Sequence, residues 1–268
     1  MLDGASFVFC NTFMWFMSNV KHFFTNFYRK LLYIDEPPLT PCVLNSFFTG
    51  LKTEEHGVLG FAPYDKPGAF CGEYKGKYIW DEAIERGLKV KVLNVPCRAS
   101  TVNIGVDLEG SHWLDLFMPP RDAFKQTVEK LHSIALKAAK DAWDLFVVWY
   151  PIPDQAHHNF FPVILSLEKL REAFKWYDMA FGYAKHLIEA AKPQAWLVLS
   201  DHGFASDFEK YYACGREQHI HVRDALVVSN VAELPSSPRE VYYWIKRRLG
   251  LVNENERGLN ARASRKSD

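Results

Sequence analysis

The chain has 268 residues, of which 48% are hydrophobic and 24% are charged, as in a globular protein rather than a disordered one. Lysine and arginine together total 32, as do aspartate and glutamate, so the formal net charge is zero. This balance argues against a general nucleic-acid binder, which would carry a basic excess. The length suits one large α/β domain or two small ones.

The five cysteines are scattered along the chain without a C-x-x-C pair, which favours a reducing compartment over a disulfide framework. The apolar stretch at residues 7–17 has no basic segment before it, as a signal peptide would have, and it is too short to span a bilayer. These features predict a cytoplasmic protein without membrane contacts. They leave its oligomeric state open.

The first residues, Leu2-Asp3-Gly4, form a turn motif with almost no strand before it. Asp3 is therefore either an ordinary turn residue or a metal ligand whose supporting strand is missing. Residues 13–32 follow, with aromatic and aliphatic side chains at helical spacing, and this pattern predicts an amphipathic helix.

A second helix is predicted with Thr40 as its N-cap, Pro41 at its first position and Gly50 at its end. A hydroxyl at a helix N-terminus faces free backbone N–H groups and the positive end of the helix dipole. Such a place stabilises a phosphate, and it would also stabilise an ionised threonine oxygen if a metal held it. For an isolated Thr-Pro pair, capping alone is the commoner role.

The middle of the chain alternates between strand and helix patterns. Residues 89–96 alternate as in a strand, a helix begins at Asp122, and residues 143–150 form an apolar run typical of a parallel strand covered on both faces. Residues 61–78 and 97–120 carry no readable motif, and we expect them to form loops that set substrate specificity.

Asp154 and His158 follow the apolar run at 143–150. Four positions apart on a helix, they share one face, and a carboxylate and an imidazole placed in this way suit one divalent ion. The spacing is common by chance, so the pair alone is weak evidence for a metal site.

A predicted helix at 167–191 leads into a short strand at 196–199, which ends abruptly before Asp201 and His202. Ligands of α/β sheets bind beyond the carboxyl ends of strands, so both side chains are placed to share a metal ion. A plain polar loop is the alternative. Strand–helix–strand units of this kind predict an α/β fold with a mostly parallel central sheet, helices on both faces and a first strand that is nearly absent.

A last polar pair, His219 and His221, begins an apolar segment at 219–229. In an extended chain both side chains face the same way, so either one is placed to reach the site. We expect residues 1–252 to form a single domain and residues 253–268, which are rich in Asn, Glu, Arg and Ser, to form a disordered tail.

Together and in this order, these motifs make the sequence similar to the alkaline phosphatase superfamily, specifically to its type I phosphodiesterase/nucleotide pyrophosphatase branch. The resemblance extends to about Leu251. It is carried by these segments: Leu2-Asp3-Gly4, Pro38-Leu39-Thr40-Pro41, Thr49-Gly50-Leu51, His56-Gly57-Val58, Pro153-Asp154 with His158, Ser200-Asp201-His202-Gly203-Phe204, and His221 with Asp224.

The resemblance implies a site with two divalent metal ions, zinc first and manganese or iron as alternatives. The implied ligands form two sets: Asp154, His158 and His221 for one ion, and Asp3, Asp201 and His202 for the other. Thr40 would be the nucleophile that bridges the two ions. His221 is preferred to His219 because Ala225, four residues further on, falls where the family usually carries glycine.

The activity implied is hydrolysis of a small-molecule phosphate ester or nucleotide through a phospho-threonine intermediate. Phe61 stands where nucleotide pyrophosphatases carry an asparagine, which weighs against a nucleotide substrate. One alternative is phosphoryl transfer of the phosphomutase type, although the chain has no room for the domain that those relatives carry as an insertion. The other is a degenerate member that keeps the fold but binds metal weakly.

Overall fold

The computed structural model describes residues 1–61, 70–71, 74–97, 100–111, 116, 121–160, 166–204 and 221–252. Its helices are α1 (Phe7–Phe13), α2 (Ser18–Asn26), α3 (Thr40–Thr49), α4 (Thr53–His56), α5 (Ile79–Glu85), α6 (Phe124–Ala138), α7 (Asp154–Phe160), α8 (Leu167–Ala191) and α9 (Pro238–Arg248). Its strands are β1 (Tyr28–Tyr33), β2 (Gly60–Phe61), β3 (Phe70–Cys71), β4 (Val90–Cys97), β5 (Ser100–Ile104), β6 (Leu145–Val148), β7 (Leu197–Leu199), β8 (Gly203–Phe204), β9 (His221–Val222) and β10 (Asp224–Ser229).

Capping residues mark the start of α8 and the end of α3. Ser166 caps α8 by accepting a hydrogen bond from the Lys169 amide, and Gly50 ends α3 in the left-handed conformation with φ of 71°. Thr40 differs from its prediction, because it is the first helical residue of α3 and Leu39 occupies the cap position. The Thr40 side chain is consequently directed to other partners, which are described below.

The predicted helix at 13–32 is wrong in its extent. The chain forms α1, a single 3-10 turn and α2, and then continues as β1, which pairs antiparallel with β10 from Tyr28 opposite Ser229 to Tyr33 opposite Asp224. Leu31 fits the helical spacing of the preceding residues, but pairing with a strand far along the chain decides its conformation. The local pattern carries no information about that partner.

The main strands form two three-stranded sheets in the orders β5-β4-β6 and β1-β10-β7. Only β4 and β6 are parallel among these pairs; β5, β7 and β1 each run antiparallel to their neighbour. The mostly parallel central sheet that the sequence predicted is therefore not confirmed over the described residues. The reason is local: β5 returns directly beside β4, and β10 runs back between β7 and β1.

The first three residues lie between these two sheets. Leu2 forms a parallel bridge with Tyr150 just beyond β6, and its amide donates to the Leu199 carbonyl of β7 at 2.8 Å. The amide of Asp3 donates to the Tyr150 carbonyl at 3.1 Å. What the described chain contains of the expected first strand is thus a single bridge, and this bridge is enough to hold Asp3 at the strand ends.

Helices cover both faces of the two sheets. Neighbouring residues on one strand point to opposite sides, so that Val148 joins a cluster with α1, α2, α6 and α8 while Val147 joins a cluster with α3, α5 and α9. Phe181 and Trp80 are large, fully buried members of the two clusters, and such burial contributes roughly 1.5–3 kcal/mol for each large side chain. None of the described helices has both the length and the apolar character needed to cross a membrane.

Candidate active site

The predicted site residues converge at the carboxyl ends of β6 and β7. Six of them form two groups, each with its potential ligand atoms within 4.8 Å of one another. The first group is Asp154, His158 and His221, and the second is Asp3, Asp201 and His202. The seventh, Thr40, lies directly beside the second group.

The first group is built by α7 and β9. Asp154 and His158 stand one turn apart on α7, and the Nε2 atom of His158 lies 3.5 Å from Oδ2 of Asp154. His221 approaches from β9, with its Nε2 atom 3.2 Å from Oδ1 of Asp154 and 3.2 Å from Nε2 of His158. Both imidazoles therefore direct Nε2 at one carboxylate, in a geometry that suits a shared cation.

The second group is built by the first residues and by the loop after β7. Nε2 of His202 lies 3.4 Å from Oδ1 of Asp3 and 3.7 Å from Oδ2 of Asp201. The Thr40 hydroxyl oxygen lies 3.3 Å from the same Asp3 oxygen and 3.3 Å from Nε2 of His202. All four side chains are buried, with exposed fractions of 3% or less.

The two groups are in direct contact. The imidazole rings of His202 and His221 stack with their centroids 3.9 Å apart and an interplanar angle of 15°. Asp154 and Asp3 are also joined, because the Asp154 amide donates to the Asp3 carbonyl at 2.9 Å. The seven residues consequently form one continuous site rather than two separate ones.

Glycine at position 4 allows this close approach. Gly4 has φ of 68°, and a Cβ atom built there would lie 2.7 Å from the Cβ of Asp154. The Gly4 amide also donates to Oδ1 of Asp201 at 3.3 Å. Position 4 therefore requires glycine for two reasons: its φ is left-handed, and any side chain there would push Asp154 away.

Outer hydrogen bonds orient the histidines. Nδ1 of His221 lies 3.1 Å from the Pro38 carbonyl, and Nδ1 of His202 lies 3.1 Å from the Gly203 carbonyl. A carbonyl can only accept, so each Nδ1 donates its proton to the backbone and each Nε2 is the ring nitrogen that faces the site. This arrangement is the usual outer support of a metal-binding histidine.

The carboxylates differ in their electrostatic surroundings. Burial, together with the charges of Asp201 and Asp154, raises the pKa of Asp3 well above its usual value. Burial would also raise the pKa of Asp154, but the charges of His221 and His158 outweigh it and hold that pKa below its usual range. Ionisation of Asp3 beside Asp201 is therefore unfavourable in this group unless a cation neutralises the two carboxylates.

The histidines differ in the same way. Burial lowers the pKa of His202, and the neighbouring charge of His221 lowers it further. Burial opposes the charged form of His221 as well, yet the charge of Asp154 and the hydrogen bond to it raise its pKa above the usual value. A neutral His202 is the form that a metal ion requires.

The residues present fit divalent metal ions. Oδ2 of Asp201 is completely buried and has no hydrogen-bond partner among the described residues. A buried charged oxygen without a donor is costly, and a cation would satisfy it. The donors are imidazole nitrogens and carboxylate oxygens without thiolate, a set typical of zinc and also compatible with manganese or iron.

Sequence reasoning assigned no role to Asp224, which anchors the N-terminal segment. Its Oδ2 atom accepts hydrogen bonds from the Ser6 hydroxyl at 2.5 Å and from the Val8 amide at 3.1 Å. A Cβ on Gly203 would lie 2.1 Å from the other Asp224 oxygen, so glycine is required there too. The only signal in the sequence was the position of Asp224, three residues after His221.

Several other predicted features lie beside the site or outside the described residues. His157 points away from the cluster, stacks on Phe204 and has Nε2 3.3 Å from the Tyr177 hydroxyl. His219, the alternative to His221, is not among the described residues, and neither is the side chain of Phe61.

Comparisons with solved structures give the fold. Murine ectonucleotide pyrophosphatase/phosphodiesterase 5, as an inactive variant in complex with AMP, aligns with a TM-score of 0.57 at 12% identity, covering 93% of each chain. A 2-O GAG sulfatase aligns with a TM-score of 0.61 at 7% identity, covering 96% of this chain and 71% of the sulfatase. A putative sulfatase from Bacteroides thetaiotaomicron gives 0.59 at 8% identity, covering 90% and 67%.

At these identities the likeness shows an alkaline phosphatase-like fold and nothing more. A comparison with curated protein sequences gives no significant match. The family model described as type I phosphodiesterase/nucleotide pyrophosphatase matches residues 1–263, nearly the whole length of the sequence. The chain therefore belongs to the type I phosphodiesterase/nucleotide pyrophosphatase family.

Proposed function

We propose that this protein is a metal-dependent hydrolase of small-molecule phosphate esters that acts through a phospho-threonine intermediate on Thr40. The observation that supports this most directly is the position of the Thr40 hydroxyl, 3.3 Å from both Asp3 and His202 and buried at the first residue of α3. A threonine kept only for packing or capping would not need a carboxylate and an imidazole around its oxygen.

The proposed reaction has two steps, and Thr40 takes part in both. The Thr40 oxygen attacks phosphorus and forms a new P–O bond, while the bond to the leaving alcohol breaks and that alcohol takes up a proton from solvent. The threonine proton passes to solvent. Water then attacks the phospho-threonine, releases phosphate or a phosphomonoester and restores the hydroxyl. The N-terminus of α3 contributes its positive dipole end at the phosphoryl group.

The metal ions would be held by the two groups already described, three side chains each. When bound, such ions lower the pKa of the nucleophile and neutralise charge on the phosphoryl oxygens. His202 and His221 turn their Nε2 atoms toward the site, because their Nδ1 atoms donate to the backbone, and each Nε2 would bind an ion in its deprotonated form. Zinc is the first candidate, with manganese and iron as alternatives.

The substrate class follows from the family and from the site. Solved relatives include a nucleotide pyrophosphatase/phosphodiesterase in complex with AMP, which supports a small phosphodiester or nucleotide as the substrate. The chain carries Phe61 at the position where nucleotide pyrophosphatases have an asparagine. We therefore favour a non-nucleotide phosphodiester as the preferred substrate.

Replacing Thr40 tests the nucleophile. With zinc bound and an aryl phosphodiester as substrate, we expect Thr40→Ala to lower kcat by at least about 10³-fold, because nothing else can form the covalent intermediate. Thr40→Ser keeps a hydroxyl and should retain part of the activity. The measurement is kcat together with trapping of phosphorylated protein in wild type and its absence in Thr40→Ala.

Thr49→Ala is the matched control, because Thr49 is a buried threonine at the far end of the same helix and its hydroxyl donates to the Asn45 carbonyl. This variant should keep full activity and bound zinc. Undiminished turnover in Thr40→Ala would exclude the nucleophile. A wild-type protein that binds no zinc and shows no thermal shift on adding it would instead identify a degenerate family member.

A further inference from the structure

The segment between β1 and α3 carries Thr40 into the site. It comprises residues 34–39, which we call the approach segment, and it begins directly after Tyr33 at the end of β1. Pro37 and Pro38 have no backbone N–H groups, so this part of the segment has no amide donors with which to continue the pairing of β1 with β10. Its position therefore depends on donors from outside the segment.

Three carbonyls of the approach segment accept hydrogen bonds from two side chains at the start of β9 and just before β10. Nη1 of Arg223 donates to the Ile34 carbonyl at 2.7 Å and to the Glu36 carbonyl at 2.6 Å. Nδ1 of His221 donates to the Pro38 carbonyl at 3.1 Å. These side chains thus supply donors along a stretch where the two prolines offer none.

Arg223 holds the approach segment at two of these three carbonyls. Both bonds are made by one nitrogen atom, which fixes the spacing of the Ile34 and Glu36 carbonyls. The Arg223 carbonyl also accepts a hydrogen bond from the Ile34 amide at 3.0 Å. A guanidinium is always charged in proteins, and hydrogen bonds from charged donors are stronger than neutral ones. His221, in contrast, directs its Nε2 atom at Asp154 in the first group of candidate ligands.

The Thr40 hydroxyl depends on the approach segment for its position. Its oxygen lies 3.3 Å from Oδ1 of Asp3 and 3.3 Å from Nε2 of His202, and Thr40 is the first residue of α3. Only three residues separate it from Glu36, and two of them are prolines with fixed φ, so a shift of Glu36 would be passed on to Thr40. Misplacing a reacting atom by about 1 Å can cost about 10²-fold in rate.

We propose that Arg223 is a positioning residue for the nucleophile: its guanidinium sets the place of the Thr40 hydroxyl through the carbonyls of Ile34 and Glu36. This inference rests on the proposed function, in which the Thr40 oxygen attacks phosphorus. Arg223 itself contacts neither the phosphoryl group nor the metal ions in this scheme. Loss of its donors should therefore slow the attack and leave metal binding and substrate binding as they are.

Arg223→Met tests this role, because methionine keeps an unbranched apolar stem without donors. With zinc and an aryl phosphodiester, we expect this variant to lower kcat at least about tenfold and to leave KM and bound zinc within about twofold of wild type. Arg223→Lys keeps a cation with three donors and should restore kcat to within about threefold. Arg29→Met is the matched control and should keep the wild-type kcat, because Arg29 is also exposed and its guanidinium also donates to a backbone carbonyl, that of Phe24 in α2.

A second measurement needs no turnover. In protein labelled with carbon-13 at its threonine methyl groups, the NMR signal of Thr40 is identified by its absence from Thr40→Ser. We expect this signal to shift or broaden in Arg223→Met and to return to its wild-type position in Arg223→Lys. The signal of Thr49, at the other end of α3, should stay unchanged in both variants. An arginine that only stabilises the fold would leave the Thr40 signal where it is in wild type.

An unchanged Thr40 signal or a wild-type kcat in Arg223→Met would overturn the proposal, and so would a loss of kcat that Arg29→Met shares. If wild-type protein has no turnover but its Thr40 signal responds to Arg223→Met, the positioning role is supported and the proposed function alone fails. If Arg223→Met does not fold, Arg223→Gln, whose side chain is too short to reach both carbonyls, carries the same expectations.

Discussion

The turn at Gly4 links the backbone of the first residues to the geometry of the site. Its left-handed φ of 68° would cost a side chain roughly 1–2 kcal/mol, and the added Cβ would also meet Asp154 at 2.7 Å. Gly57 has nearly the same φ, 73°, but a Cβ added there would have no neighbour within 4 Å among the described residues. Alanine substitutions at Gly4 and Gly57 therefore separate the cost of backbone strain, which both share, from the cost of displacing Asp154, which only Gly4 has.

We expect Gly57→Ala to lower the free energy of unfolding by about 1 kcal/mol and to leave zinc binding intact. Gly4→Ala should be destabilised by more than this and should lose zinc affinity, because Asp154 has to move. Urea unfolding and zinc titration of both variants are the measurements. Equal effects of the two substitutions would show that the contact with Asp154 is unimportant.

The raised pKa of Asp3 gives a pH-dependent prediction for the metal-free protein. Burial and the Asp201 charge raise this pKa above its unfolded value of 3.8, so the Asp3 contribution to stability is full below that value and is lost as the pH rises through the folded pKa. At pH 7 an aspartate at this position therefore opposes folding unless a cation is bound.

Asp3→Asn should accordingly raise the Tm of the chelated protein at pH 7 by about 2–4 °C, the shift given by roughly 1 kcal/mol in a chain of this size. The gain should vanish near pH 3.5, where the carboxyl is protonated in both states. Asp122→Asn, at an exposed position, is the control and should change nothing. A gain that is independent of pH would contradict this electrostatic explanation.

At the scale of elements, a buried carboxylate joins the approach to α3 with α3 and α4. Oε2 of Glu36 accepts hydrogen bonds from the Ser46 hydroxyl at 2.6 Å, the Thr53 hydroxyl at 2.5 Å and the Thr53 amide at 2.9 Å. Arg223 donates to the Glu36 carbonyl at 2.6 Å, which ties the same segment to the loop before β10. Glu36 thus fixes the position from which α3 presents Thr40.

We expect Glu36→Ala to lower the free energy of unfolding by about 2–3 kcal/mol, because it leaves buried donors of Ser46 and Thr53 without a partner. Glu54→Ala, an exposed position on α4, is the control and should change stability by less than about 0.5 kcal/mol. Urea unfolding of both variants measures the difference. Equal midpoints would show that the Glu36 hydrogen bonds are replaced by solvent.

Elements whose ends are marked by neighbouring residues could be predicted from the sequence. Elements that depend on pairing with a strand far along the chain could not. Helix α8 has the predicted bounds because Ser166 begins it and the chain beyond Ala191 leaves the helical conformation at Lys192. Strand β1 was missed because only its pairing with β10 distinguishes it from a continued helix. The direction of strands depends on such pairings as well, and the mostly parallel sheet is not confirmed over the described residues because β5, β7 and β1 pair antiparallel.

The clustering of the candidate site residues could be predicted because most of them come directly after strands. Asp154 and Asp201 each follow an apolar run, and each brings a histidine within four residues. Motif order alone could not give the stacking of His202 on His221, which depends on how two loops meet. The role of Asp224 was missed for the same reason, since its partners Ser6 and Val8 lie at the other end of the chain.

For the whole molecule, the bond pattern of the first three residues has a thermodynamic consequence. Leu2 and Asp3 connect the half of the protein that contains β6 to the half that contains β7, and Asp3 is also a member of the candidate site. A ligand that binds Asp3 together with Asp201 and His202 would therefore hold the two halves together. Binding of a cation at Asp3 would thus be linked to the stability of the whole protein, and removing such a cation would lower the free energy of unfolding of both halves together.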